Sequence, residues 1–238
     1  MSELRGACII GQSGGPTSVI NASAQGAIQA ALKADCITKV LGAAHGIRGV
    51  LDDKLYDMGQ EDPRELELLQ NTPSSALGSC RYKLADPDQD DTDYKRILEI
   101  FKKYDVRYFF YNGGNDSMDT IKKLSDYAII TGHPTRFVGC PKTIDNDLAL
   151  TDHTPGYGSA AKYIGTSMKE IIRDGFCLEY EKGIVTIVEI MGRNAGWLTG
   201  ATALSEGEDC EGPDLIYLPE VTFDLKKFGE KVKKLLEI

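Results

Sequence analysis

Metal and disulfide patterns are sparse in this chain. Its six cysteines, Cys8, Cys36, Cys80, Cys140, Cys177 and Cys210, form no C-x-x-C pair, and only three histidines accompany them. That argues against a zinc site and against a disulfide scaffold, and leaves reduced thiols packed as small apolar residues. Long apolar runs are missing too. The stretches 108–111 and 187–188 are far too short to cross a bilayer, and residues 1–10 show no signal-type apolar core. A cytoplasmic protein without a membrane partner is expected. Positive charge is in deficit: 27 Lys and Arg against 36 Asp and Glu leave a net charge of −9. No nucleic-acid partner is expected, and any anionic ligand must be held by local groups against the global field. The remainder is ordinary. At 238 residues, 42% hydrophobic and 26% charged, the chain can bury a sizeable core in one large or two modest domains.

Short β-type runs alternate with helical patterns. Strands are expected over residues 7–10, 40–44, 106–111, 136–140, 184–190 and 215–218. Helices are expected over 19–33, 64–69, 94–104, 118–127, 156–173, 197–204 and 225–236. The stretch 45–93 is otherwise irregular, and Thr92 or Asp93 is the expected cap of the helix from 94. This alternation predicts a doubly wound α/β protein, Rossmann-like, with a mostly parallel sheet. The expected division is a first α/β domain over 1–150 and the start of a second over 151–238. Each polar, glycine-rich cluster follows a β run and precedes a helix. In an open parallel sheet, such positions line one crevice at the carboxyl ends of the strands.

Residues 14–18 (GGPTS) open a helix. Glycines admit a ligand close to the backbone, and unpaired helix N–H groups favour phosphate; an ordinary tight turn is the plainer alternative. No GK[ST] follows and GxGxxG is absent, and after the second strand come Ala44 and His45, with no acidic residue for a ribose. Residues 113–117 (GGNDS) place Asn115 and Asp116, hard oxygen donors suited to Mg²⁺, after a buried strand; a helix cap at Asp116 or Ser117 is the alternative. Residues 141–147 (PKTIDND) are the most informative. Lys142, Thr143, Asp145 and Asp147 put a cation, a hydroxyl and two carboxylates on one loop, which is what phosphoryl transfer requires. In an extended loop, Asp145 and Asp147 would face one way. Met191, Gly192 and Arg193 end a further run, Glu220 follows Pro219, and Arg81 lies in a glycine-containing loop. Each of these three charges has a surface ion-pair role as its alternative.

GGPTSVIN, LGSCR, GGNDS, PKTIDND, MGR and PE occur in the order found in phosphofructokinases. The chain resembles that family from residue 9 to residue 220, and its pyrophosphate-dependent branch most. Asp116 stands where ATP-using members have glycine, and Lys142 where they have a small or uncharged residue. Bulk and negative charge at 116 would oppose the α-phosphate and ribose of ATP, and Lys142 would supply a point charge to pyrophosphate. The resemblance implies reversible transfer from pyrophosphate to fructose 6-phosphate, with Mg²⁺, in a homo-oligomer (dimer or tetramer). It implies Gly15 as a backbone contact for pyrophosphate, Asn115 at the magnesium position and Asp145 as base for the sugar 1-hydroxyl. Thr143 and Asp147 would hold substrate or metal water, and Met191, Gly192 and Arg193 the sugar phosphate. Glu220 would bind the sugar hydroxyls.

Three departures accompany the likeness. Asn115 replaces the family's usual Asp. The arginine that many members carry before MGR is absent near Ile184, where Lys182 is the nearest cation. Members of the family also continue well past Glu220, so a truncated chain of doubtful independent activity is expected. The rival expectations are an ATP-dependent kinase and a non-catalytic phosphate-binding or regulatory chain.

Overall fold

A computed structural model describes residues 4–177 and 183–236. The chain divides into two compact units, Met1–Lys142 and Thr143–Ile238. In the first, the order is β1 (Gly6–Gln12), α1 (Ile20–Lys33), β2 (Ile37–Ala43), α2 (Ile47–Leu51) and β3 (Leu55–Asp57). There follow a 3-10 turn (Met58–Gln60), α3 (Pro63–Leu68), α4 (Thr92–Lys103), β4 (Val106–Gly113), α5 (Asn115–Thr131) and β5 (Arg136–Pro141). The sheet order is β3-β2-β1-β4-β5. All pairs are parallel except the edge pair β2–β3.

Strand alternation explains the two layers of helices. On β1, Ile9 joins one core cluster with Tyr94, Ile97 and Phe101 of α4, Phe109 of β4 and Leu124 of α5. Its neighbours Cys8 and Ile10 join the other, with Ile28 and Ala31 of α1 and Leu66 of α3. Successive side chains point to opposite faces, so one apolar strand feeds both layers. Each large apolar side chain buried this way stabilises the unit by about 1.5–3 kcal/mol.

The local corrections have local causes. Residues 45–93 are less irregular than expected, since α2 and the antiparallel strand β3 lie there. Neither Thr92 nor Asp93 caps α4. Its boundary residue is Asp91, without a side-chain cap, because the Asp93 carboxylate accepts from the Tyr82 hydroxyl. Helix α5 starts at Asn115 rather than 118, the Gly114 carbonyl taking the N–H groups of Ser117 and Met118. Its boundary residue is Gly114, so neither Asp116 nor Ser117 is a cap.

The second unit holds α6 (Tyr157–Phe176), α7 (Trp197–Gly200), a 3-10 turn (Ala201–Ser205) and α8 (Leu225–Leu236). Gly165 of α6 lies against Leu204, where an added side chain would approach to 3.0 Å. The strands expected over 184–190 and 215–218 do not form. Among the described residues neither stretch pairs in a ladder, and β-branched composition without a ladder partner does not make a strand. No described helix is long and apolar enough to cross a membrane.

Candidate active site

In the first unit the chain leaves β1 for β2 on one side, and later returns to β4 on the other. The carboxyl ends of β1 and β4 therefore mark the switch point of the sheet, where open α/β folds bind ligands. Gln12 and Asn112 pair in register at those two ends. The Gln12 amide donates to the Ile20 carbonyl and to Asn21 Oδ1 (2.9 Å), and the Asn112 amide donates to the same Ile20 carbonyl (2.9 Å). Both strand ends are thus clamped to the first turn of α1. Gln12 Oε1 in turn accepts from the Ser75 hydroxyl and the Leu77 N–H. Asn112 Oδ1 is a buried acceptor without a hydrogen-bond partner.

The 14–18 turn is backed by the loop that carries LGSCR. Ser79 Oγ donates to the Gly14 carbonyl, and Ser13 Oγ donates to the Cys80 carbonyl (3.2 Å). Thr17 Oγ1 accepts the Ile20 N–H (3.1 Å), so Thr17 satisfies one of the first donors of α1. Gly15 is exposed, and nothing lies within 4 Å of where its side chain would be. Beneath the turns, burial pushes the Tyr111 phenol up to about 12, so it stays protonated; its oxygen accepts the Ile47 N–H.

Lys142 joins the two glycine turns. It follows β5, is only 6% exposed, and its N–H donates to the Gly113 carbonyl (2.9 Å). Gly14 has φ +78°, and a side chain there would meet the Gly114 nitrogen at 3.4 Å and the Lys142 ammonium at 3.5 Å. A side chain at Gly113 would strike Ser117 Oγ at 2.1 Å and the Ser13 carbonyl at 2.9 Å. The two turns and the ammonium therefore share one cradle, which only glycines leave open. Asn115 and Asp116 are exposed in the first turn of α5, where the helix dipole favours a carboxylate. Arg81 is exposed and makes no ion pair among the described residues. No group of three or more His, Cys, Asp or Glu side chains among the described residues forms a metal cage.

The second unit carries the other expected residues. Thr143 Oγ1 accepts the Asp145 N–H (3.1 Å), and the Thr143 carbonyl accepts from Thr154 Oγ1 (2.6 Å). The expected extended loop is a turn instead. Asn146 adopts φ +57°, which Asn tolerates better than most residues. It is held there because its Oδ1 accepts the Thr154 N–H (2.8 Å) and its amide donates to the Asp152 carbonyl. The extended backbone that would set Asp145 and Asp147 on one face is therefore broken between them. Asp145 is half-buried and Asp147 exposed. Met191 and Arg193 are exposed in a turn, not at a strand end. Glu220 returns to that turn, its Oε1 accepting the Gly196 N–H (2.6 Å). Lys182 lies outside the described residues.

Sequence reasoning missed Gln12, Ser13, Ser79, Asn112, Asn146 and Thr154. Gln12, Ser13, Ser79 and Asn112 take their meaning from partners far along the chain, and Asn146 and Thr154 from a turn that no periodicity announces.

Residues 7–237 match the phosphofructokinase family. The chain is 47% identical over 232 residues to a pyrophosphate–fructose 6-phosphate 1-phosphotransferase of Xanthomonas campestris pv. campestris, covering 98% of this chain and 55% of the relative. It is 45% identical over 230 residues to the enzyme so named from Halomonas elongata, covering 94% and 54%. A pyrophosphate-dependent phosphofructokinase of Nitrosospira multiformis superposes with a TM-score of 0.87 at 43% identity, over 97% of this chain and 57% of that one. The chain spans about half the length of the curated relatives it matches. With a switch-point cradle of two glycine turns and a lysine, and a family match over almost its whole length, the chain belongs to the phosphofructokinase family.

Proposed function

We propose that the protein transfers a phosphoryl group from pyrophosphate to the 1-hydroxyl of fructose 6-phosphate, in both directions, in the cytoplasm and as a homo-oligomer. The observation that carries this reading is the Lys142 ammonium set against Gly14, on a residue whose backbone N–H is held by the Gly113 carbonyl. A nearly buried cation between two glycine turns suits a compact dianionic phosphate, with no need of a nucleoside for binding energy. The relatives named above bear pyrophosphate in their names, which agrees.

In this reading Gly15 offers its backbone to the donor, with Arg81 as a further cation beside the same turn. Asp116 faces the donor and opposes the longer anionic tail of a nucleotide. Asp145 accepts the proton of the sugar 1-hydroxyl as that oxygen attacks phosphorus. Thr143 and Asp147 steady the acceptor, Met191, Gly192 and Arg193 hold its phosphate, and Glu220 accepts from its hydroxyls. Catalysis is then mostly positioning and charge stabilisation.

The donor set fits magnesium that arrives with its substrate. Mg²⁺ keeps several waters and is commonly held by one or two carboxylates plus phosphate oxygens. Asn115 and Asp116, adjacent at the start of α5, supply an amide and a carboxylate. When bound, the ion would neutralise charge on the transferring phosphoryl group.

The test is product formation by the protein with fructose 6-phosphate, Mg²⁺ and either pyrophosphate or ATP, and the reverse reaction with fructose 1,6-bisphosphate and phosphate. Turnover with pyrophosphate alone is expected. Turnover with ATP alone would make ATP the donor. Calorimetric binding of pyrophosphate without turnover would make the chain a binding protein.

A further inference from the structure

A residue outside every motif is braced on the loop that backs the phosphate turn. Strand β2 runs parallel to β1, with Gly11 opposite Ala43, so the chain after β2 emerges beside the 14–18 turn. A side chain at Gly46 would meet the Gln12 carbonyl at 2.6 Å. In doubly wound folds this strand end commonly holds the ribose of a nucleotide, through an acidic residue. Here it carries His45, on a backbone with φ +57°. Left-handed geometry is uncommon for a residue with a side chain, and it persists only where the surroundings enforce it.

The surroundings are specific. The His45 N–H donates to the Leu77 carbonyl (2.7 Å). Its imidazole lies against Gly78, where an added side chain would fall 2.4 Å from Nδ1 and 2.7 Å from Cε1. The next two residues are Ser79 and Cys80, which hydrogen-bond to Gly14 and Ser13. The ring is therefore braced on the loop that backs the phosphate turn, yet His45 remains exposed.

We infer that His45 is a specificity-determining residue of the donor site, its ring occupying the space beside the phosphate turn that the nucleoside of a nucleoside triphosphate would need. The inference rests on the proposed donor reading and deepens it. Asp116 opposes a nucleotide from the α5 side by charge, and His45 opposes it from the β2 side by bulk.

Calorimetric titration of the protein with Mg²⁺-ATP and, separately, Mg²⁺-pyrophosphate tests this in His45→Gly, His45→Asn and His45→Phe. Gly and Asn both accept the left-handed backbone, so two variants remove the ring without adding strain. In both, the ratio of ATP to pyrophosphate affinity is expected to rise roughly tenfold or more. His45→Phe, which keeps the bulk, is expected to hold the parent ratio. The comparison is repeated on Asp116→Gly, where the other obstacle is gone. An unchanged ratio in both backgrounds overturns the inference, as does a parallel change in the two affinities. If the parent binds no pyrophosphate, the donor reading fails, while a gain or lack of gain in ATP affinity still decides whether His45 blocks a nucleoside.

Discussion

Asp145 stands three residues past a lysine that is 6% exposed, on a turn whose backbone is tied down by Thr143 and Thr154. Asparagine there keeps the shape and removes the proton acceptor. With Asp145→Asn, turnover with pyrophosphate and fructose 6-phosphate is expected to fall by about 10² to 10⁴, with little change in KM. Steady-state kinetics reads both numbers, and turnover like that of the parent would remove Asp145 from the mechanism. Asp116 makes a different claim, because its carboxylate is exposed at the start of α5. Asp116→Gly is expected to let ATP compete with pyrophosphate. A competition titration in which ATP remains inert would defeat the charge argument.

At the scale of elements, the Gln12 and Asn112 amides hold β1, β4 and the first turn of α1 together. Gln12 is fully buried and reaches Ile20, Asn21, Ser75 and Leu77. Gln12→Leu keeps most of the volume but strands buried donors and acceptors. A loss of about 2–4 kcal/mol is expected in urea unfolding, from several unpaired groups at about 1–3 kcal/mol each. Strands β1 and β4 and helices α1 and α5 were legible because their apolar spacing is long enough to show a period. Helix α2 and strand β3, of five and three residues, are too short to show one. The runs 184–190 and 215–218 misled for the opposite reason: their composition is strand-like, but a strand is made by its neighbour. Within the cradle, the glycine turns and Lys142 were legible as clusters. Gln12 was not, since its partner Leu77 is 65 residues away.

At the scale of the molecule, the two units differ in how much they bury. Of the buried apolar side chains among the described residues, only Ala161, Leu198, Ala201 and Cys210 belong to the second unit, and α8 buries none of its residues. Local stability follows buried apolar contact, so the second unit is expected to open first. The single tryptophan, Trp197, lies in it. In a urea titration, the change in Trp197 fluorescence is expected at lower concentration than the main loss of circular dichroism. Coincident transitions would mean one cooperative unit.

The stretch 184–190 has a consequence for handling the protein. Ile184, Val185 and Ile187 are 53%, 47% and 77% exposed, and the segment forms no strand. Exposed, branched apolar side chains in a β-prone run are templates for cross-β stacking between molecules. Concentrated solutions should therefore turn turbid and bind amyloid dyes on warming, and a gatekeeper charge at the most protruding position, Ile187→Lys, should keep them clear.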